Sequence, residues 1–259
     1  MSKLSVILQL LRRDLQRYRR EFWKKLFDTA LLLFTNLVVF GYVMPQYGLN
    51  QNYGSFMLIS AIASFGFFDT VGKVSNLISD IEGDRTISYT LTLPIPSYYA
   101  FLHIGIYWAI NSLLISLFLF PIGKLILFDQ FDLSKISLAR LIPMYITMNL
   151  FYGFFSLWLT SMLKNIGDLG SLWVRVINPL IMFGAYFYSW QSIYALSHEI
   201  AYFNLINPLV YIMEGMRAAA LGQEGFLSFW ICLPATWIFI FACAWHGTYR
   251  LSKRLDCVR

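Results

Sequence analysis

Charge is scarce in this sequence. Only 13% of its 259 residues are Asp, Glu, Lys or Arg, about half of the roughly 25% usual in soluble domains. Cysteine is scarcer: Cys232, Cys243 and Cys257 give no metal-type spacing, and no disulfide framework is expected. His103, His198 and His246 stand in three separate segments with no carboxylate or cysteine at ligand spacing, so no metal site is expected either. A phosphate-binding loop is missing. Its closest approach, Gly66 to Val74, has one residue too many between glycines and ends Gly72-Lys73-Val74 inside an apolar segment. No nucleophile–base arrangement can be inferred, so neither catalytic residues nor a bound cofactor are expected on this chain. The first 25 residues show no compact apolar core before a small-residue cleavage site, so a cleavable signal peptide is not expected.

Apolar sequence is what the chain has. It is 58% hydrophobic and 18% aromatic, with a mean hydropathy of +0.59, the composition of a multi-pass membrane protein. Six apolar segments occupy about 26–45, 55–79, 99–122, 138–163, 171–196 and 226–249, each near or above the roughly 20 residues needed to span the hydrocarbon core. Before them, Leu4, Ile7, Leu8, Leu11, Leu15, Tyr18 and Phe22 recur every three or four positions among eight Lys and Arg. This predicts an amphipathic interface helix over 1–25, with its cations near anionic lipid; a nucleic-acid arm is the rival reading, and no nucleic-acid partner is expected because the helix runs straight into a span. With six spans and both termini cytoplasmic, sixteen of the twenty Lys and Arg fall inside, and only Lys124, Lys135, Arg140 and Arg217 outside. The positive-inside rule favours that orientation. Neither an internal repeat nor a second domain is visible, so 1–259 is read as one transmembrane domain.

Ionisable residues near the spans are few. Asp69 and Lys73 are four apart on one helix face, which fits mutual neutralisation, with a transport role as the alternative. Asp28 and Arg175 lie near span ends and can snorkel. The fifth segment contains Pro179 and ends in Tyr186, Phe187, Tyr188 and Trp190. These form either an interfacial aromatic belt or a stacking surface on a substrate path through Tyr186, Tyr188 and Trp190. In 197–225, Asn207-Pro208 is an N-cap with proline at the first helical position, and Gly222 is a stop. Leu209, Ile212, Met213, Met216 and Ala220 make a stripe between them, with Glu214 and Arg217 three apart. The pattern predicts an amphipathic helix at the outer surface, with a helix that dips back into the membrane as the alternative.

Ser79–Ser97 is the long polar interruption between two apolar segments. Asp80, Glu82, Asp84 and Arg85 crowd its start, Ser79-x-x-Glu82 reads as a capping box, and Pro94 and Pro96 close it. A short helix over about 80–91 closed by a stiff turn is predicted, with an ordinary solvated loop as the alternative.

Glu82, Thr86, Leu91 and Pro94 resemble the Glu…Thr…Leu…Pro pattern after the second span of ABC-2 type exporter permeases, with Arg85 where a small residue is more usual. INPLVYIMEGMRAAALG, residues 206–222, is similar to the Asn-Pro-Leu…Glu…Arg segment before their last span, as in polysaccharide and drug exporters. The resemblance implies an all-α membrane protein of six transmembrane helices, with an N-terminal interface helix, a cytoplasmic coupling helix within 79–97 and an external helix within 197–225. It implies a permease subunit, not an enzyme, in the bacterial inner membrane, paired with a second copy and with a separate ATPase that holds ATP and Mg. Asp80, Glu82, Asp84, Arg85, Thr86, Leu91 and Pro94 would contact that ATPase, and an amphipathic cargo (lipid-linked glycan, lipid or hydrophobic drug) would be exported. The rivals are a secondary carrier using Asp69, and a membrane enzyme or assembly factor. Cysteines introduced at Asp84 and Arg259 are expected to resist a membrane-impermeant thiol reagent in intact cells; labelling of either from outside would overturn the orientation.

Overall fold

The computed structural model describes residues 3–50, 52–83, 86–92 and 96–256. Of the residues singled out above, Asp84, Arg85, Pro94, Cys257 and Arg259 lie outside the described residues. Every regular element among the described residues is helical, and five helical stretches are long and apolar enough to cross a membrane: Val6–Tyr47, Tyr53–Glu82, Ser97–Leu127, Leu138–Met162 and Phe229–Leu255.

The interface helix and first span are one element. Helix α1 (Lys3–Val38) has no glycine or proline along its 36 residues, so nothing separates the basic half from the apolar half. At 1.5 Å per residue it is roughly 54 Å long, well beyond a hydrocarbon core of about 30 Å. The basic half is docked on the protein: Ile7, Leu10 and Tyr18 are buried, and the Tyr18 hydroxyl donates to the Asn111 carbonyl at 3.4 Å. The expected boundary near residue 25 between an interface helix and the first span is absent, the two forming one continuous helix. After Val38 the coil widens into a π-turn (Val39–Val43), then tightens into a 3-10 turn (Met44–Tyr47) that ends on Gly48 at φ 98°.

The second span is two helices, α2 (Tyr53–Phe68) and α3 (Thr70–Glu82), sharing Asp69 at the joint. Ser79 does not open a helix. It lies inside α3, and its carbonyl accepts from the Gly83 amide at 2.9 Å, ending the helix there. The capping-box reading is therefore overturned. A separate short helix, α4 (Thr86–Leu91), follows. Then come α5 (Ser97–Leu127) and α6 (Leu138–Met162), close to the predicted third and fourth segments.

Helix α6 is the hub, packed against α5, α3, α2 and the last helix. Gly153 lets it approach α5 so closely that a Cβ there would overlap the Gly105 carbonyl oxygen. Such contacts, with hydroxyls bonded across helices, hold membrane bundles together where no hydrophobic drive exists. The Tyr152 hydroxyl donates to the Ala63 carbonyl at 2.6 Å, Ser156 to the Thr70 hydroxyl at 3.0 Å, and Tyr145 to the Leu113 carbonyl at 2.7 Å.

The fifth segment departs furthest from expectation. In place of one helix over 171–196 there are α7 (Leu169–Leu172), a π-turn (Trp173–Ile177) and α8 (Asn178–Met182), then irregular backbone with Ala185 at φ 59°. Pro179 explains the first fault. It brings no amide and crowds the carbonyl four residues back, at Arg175, inside the π-turn. Three further helices follow: α9 (Trp190–Leu196), α10 (His198–Asn204) and α11 (Pro208–Ala220). Finally α12 (Phe229–Asp256) returns along α6, and Arg254 caps the end of α6 by donating to the Leu163 and Lys164 carbonyls, both at 2.7 Å.

Candidate functional site

The predicted external helix is α11, and its ends are as expected. The Asn207 side chain accepts from the Leu209 amide at 3.0 Å, Pro208 follows, and Gly222 sits at φ 106°. Its setting is not as expected. Apart from Tyr211, every residue of Pro208–Ala220 is buried, because α2, α6 and α12 enclose the helix. Glu214 and Arg217 have no exposed side-chain surface at all, so the surface-helix reading is corrected. The stripe identified one apolar face; the opposite face is buried too, with the ion pair on it.

That pair lies at 3.2 Å and does more than neutralise itself. Arg217 donates to the carbonyls of Ala185 at 2.6 Å, Tyr186 at 2.8 Å and Tyr188 at 3.1 Å, and to the Ser60 hydroxyl at 2.7 Å. Its guanidinium also lies 3.7 Å from the centre of the Phe56 ring, a cation–π contact strengthened by desolvation. Glu214 accepts from the Trp190 amide at 3.2 Å and the Leu227 amide at 3.0 Å. Burial pulls Arg217 down to about 10, which still leaves it a cation at neutral pH, and pushes Glu214 above its usual range.

The aromatic group is thereby divided. Tyr188 is tied back by its hydroxyl, which donates to the Met182 carbonyl at 2.9 Å. Trp190 is held by its indole N–H on the Ala201 carbonyl at 2.8 Å. Tyr186 instead packs edge-on against Phe68 and Phe187 and lines a cavity of about 490 Å³ with Phe187 and Trp173. Tyr186 thus lines this cavity, while Tyr188 lines a separate one of about 440 Å³ with Tyr53, Phe56 and Phe187.

The same cavity is lined by Lys25 and Asp69. Lys73 lies 3.1 Å from Asp69, the neutralising pair that the spacing predicted, and also reaches the Ser112 hydroxyl at 2.5 Å. The sequence did not reveal that Lys25, from α1, lies 2.5 Å from the other carboxylate oxygen. Counted with the interface cations, Lys25 carried no mark of that role. Only the placement of α1 beside the α2–α3 joint supplies it.

At the opposite end from α11, Asp80 proves to be the cap that Ser79 was expected to be. Its carboxylate accepts from the Thr86 amide at 3.0 Å and the Ile87 amide at 2.8 Å, clamping α4 onto α3 across the intervening residues. Glu82 and Thr86 are exposed and Leu91 is partly buried. Beside them a groove of about 380 Å³ runs between α1 and α5, lined by Arg13, Asp14, Asp80, Thr86 and His103. Asp14 approaches His103 at 3.4 Å.

A family model described as "ABC-2 type transporter" matches residues 5–221, from the start of α1 to just beyond α11. No curated protein and no solved structure matches the chain. Replacing Arg217 with Met is expected to destabilise the folded protein in detergent by about 3–5 kcal/mol, because a buried carboxylate and three carbonyls lose their partner. Replacing it with Lys should recover part of that, since an ammonium cannot reproduce the planar fork. Thermal unfolding of the purified variants checks both; a wild-type midpoint for Arg217→Met would show that the pair contributes nothing.

Proposed function

The chain belongs to the ABC-2 type transporter family, and from that premise we propose that it is the permease of an ATP-driven exporter, energised by a separate ATPase subunit. It is a multi-pass membrane protein of the transporter class, and the finer assignment concerns direction, cargo and coupling. The chain has no phosphate loop, so energy has to arrive by contact with another subunit that carries ATP and Mg. A second copy of the permease completes the assembly in the bacterial inner membrane, with both termini cytoplasmic. The fifth segment then makes the sixth crossing as a broken one: Ile166–Asp168 lies against α3, and Phe187 accepts from the Tyr53 hydroxyl at 2.5 Å, at the other end of the second span.

One observation carries the coupling proposal: the Asp80 carboxylate fastens α4, whose Thr86 is exposed and whose Ile87 and Thr90 are buried, to α3. A push received at Thr86–Leu91 is then delivered to α3 as a rigid body, and through Asp69 to α2. A hinge made only of the intervening residues would absorb it. Exposed Glu82 and neighbouring charges orient the docking. The cargo is amphipathic, a lipid-linked glycan, lipid or hydrophobic drug, which suits an apolar cavity between α1 and the fifth segment with charge at one end. A secondary carrier with Asp69 as its ion site is less well supported, because two lysines already occupy that carboxylate.

Reversing Glu82 and Asp84 to Lys is expected to weaken ATPase association, or to uncouple hydrolysis from export, with membrane insertion unchanged. Cargo-stimulated ATP hydrolysis and export in reconstituted vesicles measure this. Normal values of both with the partner bound would remove the coupling role from this segment; export without any ATPase would remove the exporter reading itself.

A further inference from the structure

The cavity lined by Lys25 and Asp69 borders a charged triad that is not balanced. Asp69 is in contact with two ammonium groups, Lys25 at 2.5 Å and Lys73 at 3.1 Å. Lys73 is almost wholly buried and also donates to Ser112, whereas the Lys25 side chain keeps 33% of its surface. The next acidic residues on α1, Glu21 and Asp28, are exposed and do not line the cavity. The triad of Lys25, Lys73 and Asp69 carries one net positive charge, and two of its members, Lys25 and Asp69, line a space whose other walls include Leu33, Phe65, Phe68, Trp173 and Phe187. A cation facing apolar walls is costly unless an anion joins it. The cavity runs along α1 from Lys25 to Asn36, roughly 16 Å of helix, enough for an apolar chain extending from a headgroup at Lys25.

We propose that this cavity binds an acyl-chain amphiphile with an acidic, phosphate-type headgroup, and that the Lys25 ammonium reads the headgroup's charge. The inference rests on the transport reading for its biological role, but binding is tested without the ATPase. Lys73 and Asp69 stay in place as a neutral pair that holds Lys25 at the cavity edge. The chain of the ligand lies against Phe65, Phe68 and Trp173.

The test uses the purified chain in nanodiscs with two photoreactive lipids of identical acyl chains, phosphatidylglycerol and phosphatidylcholine, crosslinks being located by peptide mass spectrometry. Wild-type protein is expected to crosslink the anionic lipid in 25–36 and 61–69 about tenfold more than the zwitterionic one, the size of one charge-assisted contact. Lys25→Gln should equalise the two, Lys25→Arg should keep the preference, and Asp69→Asn should increase it. Lys24→Gln, an equal charge change at the exposed neighbour, should leave it unchanged, and Ala61→Trp should block the cavity to both lipids. Equal crosslinking in the wild type overturns the proposal and needs no variant. Preference that survives Lys25→Gln, or labelling that survives Ala61→Trp, marks annular lipid and overturns it as well. Cavity binding of the anion without its ATP-driven movement in the presence of the ATPase would sustain this site and sink the exporter reading.

Discussion

A buried guanidinium sets the terms for this fold. Irregular backbone within a membrane protein is tolerated only where other groups satisfy its carbonyls and amides, and the fifth segment is irregular from Phe183 to Ser189. Arg217 meets three of those carbonyls, at Ala185, Tyr186 and Tyr188. It reaches α2 through Ser60 and Phe56 at the same time. Glu214 balances the charge and takes the Trp190 and Leu227 amides, so the start of α9 and the approach to α12 hang from the same pair. A lysine, with a compact ammonium, could not span these directions. The pair is thus less a contribution to stability than a fixture that lets a helix break where a straight span would otherwise stand.

The break has a consequence at the other charged centre. A straight fifth helix would carry its aromatic residues around all sides; the turn at Ala185 instead directs Tyr186 and Phe187 to the cavity shared with α1. Lys25 and Asp69 line that cavity too, with Lys73 paired to Asp69. Asp69 is also the joint between α2 and α3, and α3 carries α4 through Asp80. Helix α4, the charged triad and the cavity are therefore linked by one short mechanical path, the path that the proposed coupling would use.

Much of this was legible in the sequence. Apolar runs located the third, fourth and last spans, and Asn207-Pro208 with Gly222 fixed α11 to within a residue. The i,i+4 spacing gave the Asp69–Lys73 pair. Three features were not legible. Lys25 looked like one more interface cation because its partner is on another helix. Ser79 and Glu82 matched a capping box, yet no breaker precedes them, so α3 continued to Gly83 and the cap passed to Asp80, six residues before Thr86. The fifth segment was apolar enough to span, but hydropathy does not register that Pro179 and the turn at Ala185 can be stabilised by an arginine 32 positions away. For the same reason Arg217 looked like a surface cation: long-range satisfaction leaves no local pattern.

The Trp190 amide reports the central claim most directly, because its acceptor is one half of the ion pair. Hydrogen exchange at that amide and at Leu227, compared with amides in α6, measures whether the pair holds the broken segment. Slow exchange is predicted at both in the wild type, and acceleration of about tenfold or more in Arg217→Lys, with α6 unchanged. Equal exchange in the two proteins would contradict the account, since the break would then stand without the guanidinium.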